Sequence, residues 1–279
     1  MIRTVIFFVL ICMSSIASGQ RYDWTIENTE RVYGKDTTSP QTSRSSVAHI
    51  NMTIEDVSDG VIRVTFNSVD IRIPDTPIGD MGFDSDEPAD PTNVLEGVLR
   101  PLAGLTFTLT YDLHDRVFKP SDELVKERGT SAFGHTISPP FLTVPFAPFM
   151  LFQGDASPEQ PRSFMLLPYS NGVQIGDPAL IDYVTGSAGN ALSTEAEVDV
   201  SGEGDMPGIS TSAQIRVSGH TRLKHNPKSF ELIEHDYEIT TTLGFEYGPG
   251  MPVRSEIVTK VSIRRAASDP GQRTPSEDA

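Results

Sequence analysis

Between Leu105 and Leu113 the residues Leu105, Phe107, Leu109, Tyr111 and Leu113 alternate with Thr106, Thr108, Thr110 and Asp112. A period of two puts every apolar side chain on one face of a strand, which must find neighbours and bury that face. The alternation organises the stretch from Val61 to Val117, read as a strand over Val61–Ile73, an acidic loop over Gly79–Pro91, a short helix over Asn93–Leu102 and a strand over Leu105–Val117. In the predicted helix Val94, Leu95, Val98, Leu99 and Leu102 recur at helical spacing. Thr92 or Asn93 would cap its start and Gly104 its end. A helix this short is marginal alone in water, so it is expected to lie on the sheet.

The strand over Val61–Ile73 changes phase. Ile62, Val64 and Phe66 share one parity, whereas Val69, Ile71 and Ile73 take the other. Two arrangements account for a slip at Asn67–Ser68: a bulge that bends the sheet, or a far end buried on both faces.

Both ends of the chain use the same alternation. Tyr22, Trp24 and Ile26 form one set, and Ala48, Ile50, Met52 and Ile54 a second, with His49 on the opposite, solvent face. Ala196, Val198 and Val200 begin a C-terminal series, followed by Ala213, Ile215 and Val217. A long strand then places Ile233, His235, Tyr237, Ile239, Thr241, Leu243 and Phe245 on one parity, and Val253, Ile257, Val261 and Ile263 close the meander. Ser58–Asp59–Gly60, His225–Asn226–Pro227–Lys228 and Gly248–Pro249–Gly250 read as turns. The expected fold is mainly β and antiparallel, a strongly bent sheet or open barrel with one or two short helices packed on the concave face. One domain is expected over 20–265, composed of a meander (20–118), an irregular Pro/Phe-rich insertion (119–192) and a second meander (193–265). Residues 266–279 have the composition of a disordered tail.

Residues 1–19 carry the parts of a signal peptide in order: Arg3, an apolar run from Val5 to Met13, and Ala17 and Gly19 as small residues before a cleavage site at Gln20. The run is too short for a transmembrane span. Export to a periplasm or the extracellular space is therefore expected. The sole cysteine, Cys12, lies inside that run, so the processed chain has no disulfide and no thiol nucleophile. Processing removes Arg3 and takes the net charge from −16 to −17. That balance argues against nucleic acid and anionic membrane surfaces as partners.

Several of these segments together resemble a known group. Val69–Ile73, Met81–Asp86, Asp90–Pro91 and Leu99–Leu109 follow one another as in an uncharacterised family of exported, β-rich bacterial proteins. There, a strand leads to a loop of the form M-x-(Y/F)-D-S, then to L-x-P-L-x-G-x-x-F-x-(V/L) and a further strand. The resemblance covers residues 69–118. It implies a β-rich body and an exported location, and it assigns no activity and no site.

No catalytic or cofactor motif stands out, and no cofactor is expected. Asp84, Asp86 and Asp90 in the acidic loop have oxygen-ligand character for a divalent cation, but the loop lacks the turn glycine and closing glutamate of an EF-hand. A solvated turn explains the same residues. The histidines have no metal-ligand spacing and read as single satisfied or exposed side chains. Phe141, Phe146, Phe149 and Phe152 lie in a proline-interrupted apolar run, Phe141–Phe152, which is either a plug over the bent sheet or an exposed ligand- or partner-binding surface. The expected function is a non-enzymatic exported module binding a lipophilic small molecule or another envelope protein. A carboxylate-based hydrolase and a purely structural envelope protein are the alternatives.

Overall fold

The computed structural model describes residues 19–34, 38–58, 60–76, 78–112, 117–120, 149, 162–166, 169–170, 173–174, 179–188, 190–205, 212–246 and 250–266. Strands β1 (Gln20–Tyr33), β2 (Thr42–Ser58) and β3 (Val61–Thr76) form a meander. Both β4 (Gly79–Asp84) and β5 (Thr106–Asp112) pair with β3, and β6 (Val117–Pro120) pairs with β5. Further on lie β7 (Arg162–Leu166), a two-residue ladder of β8 (Tyr169–Ser170) with β9 (Val173–Gln174), and β10 (Ala179–Ala188). A second meander joins β11 (Ala191–Asp205), β12 (Ser212–His225), β13 (Leu232–Glu246) and β14 (Pro252–Arg265). One antiparallel sheet runs in the order β6-β5-β3-β2-β1-β14-β13-β12-β11-β10-β7. Among the described residues its two ends do not pair, so the sheet is open. The meanders are fused along β1 and β14, whose register runs from Tyr22↔Arg265 to Tyr33↔Arg254.

The period of two sorts the side chains into two faces. Tyr22, Trp24, Ile26, Ile50, Met52 and Ile54 are buried on the inner face, as are Val261, Ile263, Ala213, Ile215 and Val217. The outer face is polar and held by cross-strand ion pairs. Lys224 bonds Glu234 at 2.9 Å, Arg264 reaches Glu234 at 3.1 Å and Asp236 at 2.7 Å, and Arg222 meets Glu195 at 2.7 Å. Exposed pairs of this kind contribute little each. Their value is in register, because a one-residue slip would turn both faces over.

The phase change in β3 is a bulge. Asn51 stands opposite Ser68 and Met52 opposite Phe66, leaving Asn67 as the extra residue. Its amide donates to Asn51 Oδ1 at 2.8 Å and Thr53 Oγ1 at 2.9 Å on the outer face. The bulge also marks a fork. Below it β3 pairs with β5 through Thr65, and above it with β4 from Asp70. The expected acidic loop thus begins as a strand. Beyond Phe66 the longer β3 would present unpaired N–H and C=O groups, and β4 satisfies them despite its weak strand propensity.

The expected helix is largely absent. One α-turn, α1 (Glu96–Leu99), runs into a 3₁₀ turn over Arg100–Leu102, and its first residue is preceded by Leu95 with no side-chain cap. Gly97 weakens the helix and Pro101 lacks an N–H, so the pattern cannot extend. Asn93 Oδ1 instead holds the Leu95 N–H at 3.0 Å, and Val94 is exposed. Leu99 and Leu102 do reach the inner face, with Leu95 packed beside them. Gly104 takes φ +76°, which a side chain would resist, and its N–H crosses to Phe66 O at 2.7 Å.

Two further expectations change. The strand over Leu105–Val117 is a β5–β6 hairpin, with Asp112 opposite Val117, because the edge of β5 takes a partner. In β13 a register shift separates Leu232 from Glu234, so Leu232 is buried and Ile233 partly exposed. Within the irregular insertion, β10 pairs with both β11 and β7. Residues 1–18 and 267–279 lie outside the described residues.

Candidate functional site

The inner face holds two apolar clusters. One spans β1, β2, β3, β5 and β14, with Leu223 and Leu232; the other comprises Ile181, Ala196, Val198, Val200, Ala213, Ile215, Val217 and Leu243. Following the register from one to the other crosses a polar patch. Trp24 stands between Ile50 and Ile263, Ile263 beside His235, His235 beside Leu223, and Leu223 beside Thr194. One row further, Val261, Tyr237, Thr221 and Ala196 are neighbours.

Thr221, His225, His235 and Thr194 are buried on this apolar face. Thr221 Oγ1 lies 2.9 Å from His235 Nε2, and Tyr183 from β10 hydrogen-bonds to Thr221. Three side chains from three strands form a relay ending on an imidazole. The Tyr237 ring lies 5.3 Å from that of His235, tilted by 46°. The other imidazole nitrogen, His235 Nδ1, is buried without a hydrogen-bond partner. Burial, with smaller contributions from His225 and Arg264, lowers the His235 pKa to about 3. Burial likewise pushes the Tyr183 hydroxyl up to about 12 and raises Tyr237 above the ordinary phenol range. Such an imidazole is neutral near pH 7 and too weakly basic for proton abstraction there. It can accept or donate one hydrogen bond.

Gly219 lies on β12 between Val217 and Thr221, where the clusters meet. With φ of +155°, a Cβ there would stand 2.1 Å from Glu238 O on β13. Only glycine allows the two backbones this approach.

Of the residues singled out from sequence, Phe149 packs edge-on against Tyr22, with centroids 5.0 Å apart, beside the first apolar cluster. Phe141, Phe146 and Phe152 lie outside the described residues. Asp84 accepts the Asp86 N–H at 2.8 Å, and Asp90 accepts the N–H and hydroxyl of Thr92 at 2.9 and 2.7 Å. Those two carboxylates are turn caps. Nearby, Arg100 binds both oxygens of Glu96, donates to Ser85 O at 2.6 Å and lies over the Phe83 ring. Hydrogen bonds from Arg100 and from the Asp90 N–H hold Glu96 down at about 2. The stretch from Phe83 to Arg100 is thus a structural clasp. His49 is on the solvent face beside Thr25 Oγ1, at 3.1 Å.

Sequence reading did not assemble Tyr183, Thr221, His225, His235 and Tyr237. The available signal was polar residues on the apolar parity of otherwise regular strands. On the outer face a cleft of about 1000 Å³ lies over β11–β14, with Glu203, Gln214, Arg216, Thr242 and Arg254 along it. Arg216 and Arg254 are paired with Asp199 and Glu256.

These features define an open antiparallel β protein with a polar outer face and an apolar inner face interrupted by a buried polar patch. No helix among the described residues is long and apolar enough to cross a membrane. No protein-family model matches the chain, and no curated protein matches it. A solved structure described as "Lipid-protein interactions in lipovitellin" is similar at 11% identity with a TM-score of 0.43. The overlap covers 94% of this chain and 26% of that one, so this chain spans about a quarter of the other's length.

Proposed function

We propose that the chain is an exported, non-enzymatic module that holds a lipophilic ligand against the inner face of its sheet, within the exported β-rich family that residues 69–118 resemble. The observation that carries this reading is an open sheet whose inner face is apolar through two clusters from β5 to β10. A concave apolar sheet face is a common setting for a small lipophilic ligand. Phe149, packed on Tyr22 beside the first cluster, belongs to the same apolar surface.

A native mass spectrum of the protein purified from its own host tests the proposal directly. A lipid adduct, together with enhanced fluorescence of an environment-sensitive apolar dye, is the expected result. A bare protein mass with no dye binding overturns it. Turnover across a broad hydrolase panel would favour the carboxylate-based alternative.

A further inference from the structure

The patch between the two apolar clusters holds an imidazole with one nitrogen partnered and the other not. The imidazole of His235 is fixed from one side: its Nε2 meets Thr221 Oγ1 at 2.9 Å, and Thr221 is in turn bonded to Tyr183. The hydroxyl relay sets the ring orientation and holds one nitrogen in a defined hydrogen-bonding role. The opposite nitrogen is buried and has no partner. A buried polar atom left unpaired destabilises the fold, and in native proteins such an atom calls for a specific explanation.

We propose that His235 Nδ1 receives the hydroxyl head of a neutral long-chain lipid whose hydrocarbon lies along the inner face. This rests on the lipophilic reading above and adds the head group to it. Neutrality follows from the described groups beside His235: Thr221 from β12, Tyr183 from β10, Tyr237 from β13 and Thr194 from β11 are hydroxyls that carry no positive charge to pair with a carboxylate or phosphate. Arg264 is bound to Glu234 and Asp236 on the other face. An anionic head would be buried without a counter-ion, which is strongly unfavourable. A hydroxyl satisfies Nδ1 in either tautomer, since it can both donate and accept.

Displacement of a bound apolar dye by dodecanol, dodecane and dodecanoate at pH 7 tests this. Dodecanol should displace the dye about fivefold more effectively than dodecane, the ratio that a net hydrogen bond of about 1 kcal/mol supplies. Dodecanoate should be weaker than dodecanol. His235→Phe should bring the alcohol to the level of the alkane, and Thr221→Val, which releases the ring, should narrow the gap. His220→Phe, on the outer face, should keep the full preference. Equal displacement by alcohol and alkane in the wild-type protein overturns the head-group assignment and leaves the lipophilic reading standing. A preference that survives His235→Phe, or tighter binding of dodecanoate, also overturns the assignment. Failure of all three probes to displace the dye overturns both.

Discussion

A histidine buried in an apolar face makes stability depend on pH with a known sign. His235 has a folded pKa of about 3 against an ordinary 6.5, with Thr221, Tyr183, Tyr237 and His225 around it and Arg264 behind. Between those values the unfolded chain binds the proton and the folded chain does not, so stability falls as pH drops through that window. The loss by pH 4 should be on the order of 3 kcal/mol. It is measured as the difference in urea midpoints between wild type and His235→Phe across pH 4–8. Carboxylates with lowered pKa, such as Glu96 and Asp199, also lose stability toward acid, but they do so in both proteins and cancel. A difference that does not vary with pH would show that His235 is accessible to protons in the folded state. The sequence showed that His235 shares its parity with Tyr237 and Leu243, but not that the imidazole is buried. Burial depends on what packs above the strand, and alternation alone carries no information on that.

At the scale of single elements the bulge was legible and the helix was not. A phase slip leaves a direct trace in the alternation of Val64, Phe66, Val69 and Ile71, whereas Gly97 and Pro101 stop a helix whose apolar spacing still looks regular. Because Asn67 is the surplus residue, deleting it keeps Phe66 and Val69 on the inner face. Deleting Thr65 turns Phe66 outward. The second deletion should therefore lower stability by about 3–5 kcal/mol more than the first, the range for losing a buried phenylalanine. Leu99 is packed although its helix is one turn long, and Leu99→Ala should destabilise by roughly 2–5 kcal/mol in urea denaturation. A change within about 0.5 kcal/mol would mean that the turn is undocked. Gly219→Ala forces a methyl group onto a backbone carbonyl 2.1 Å away. That strain should lower stability by about 3 kcal/mol or more, since neither backbone can retreat without breaking its ladder.

For the molecule as a whole, each meander could be read from its own turns and alternation, and their junction could not. Hairpins announce themselves through adjacent strands and a turn such as Ser58–Asp59–Gly60, but β1 meets β14 with nearly the entire chain between them. That seam lies mid-sheet, so amide hydrogen exchange should be slowest along the Trp24–Ile263–His235 row and fastest on β6 and β7 at the edges. Uniform protection from edge to centre would contradict this placement. The seam also has a consequence for how the protein comes into being. Of the described strands β1 is made first and its partner β14 last, so the central ladder cannot begin until Arg254 is available opposite Tyr33 and cannot be completed before Arg265. Until then β1 and β13 present open edges, and closing so large a loop brings a high contact order and slow folding. A chain with this connectivity keeps the middle of its sheet open until β14 is available. Such a delay gives chaperones and misassembled strands a long interval in which to bind.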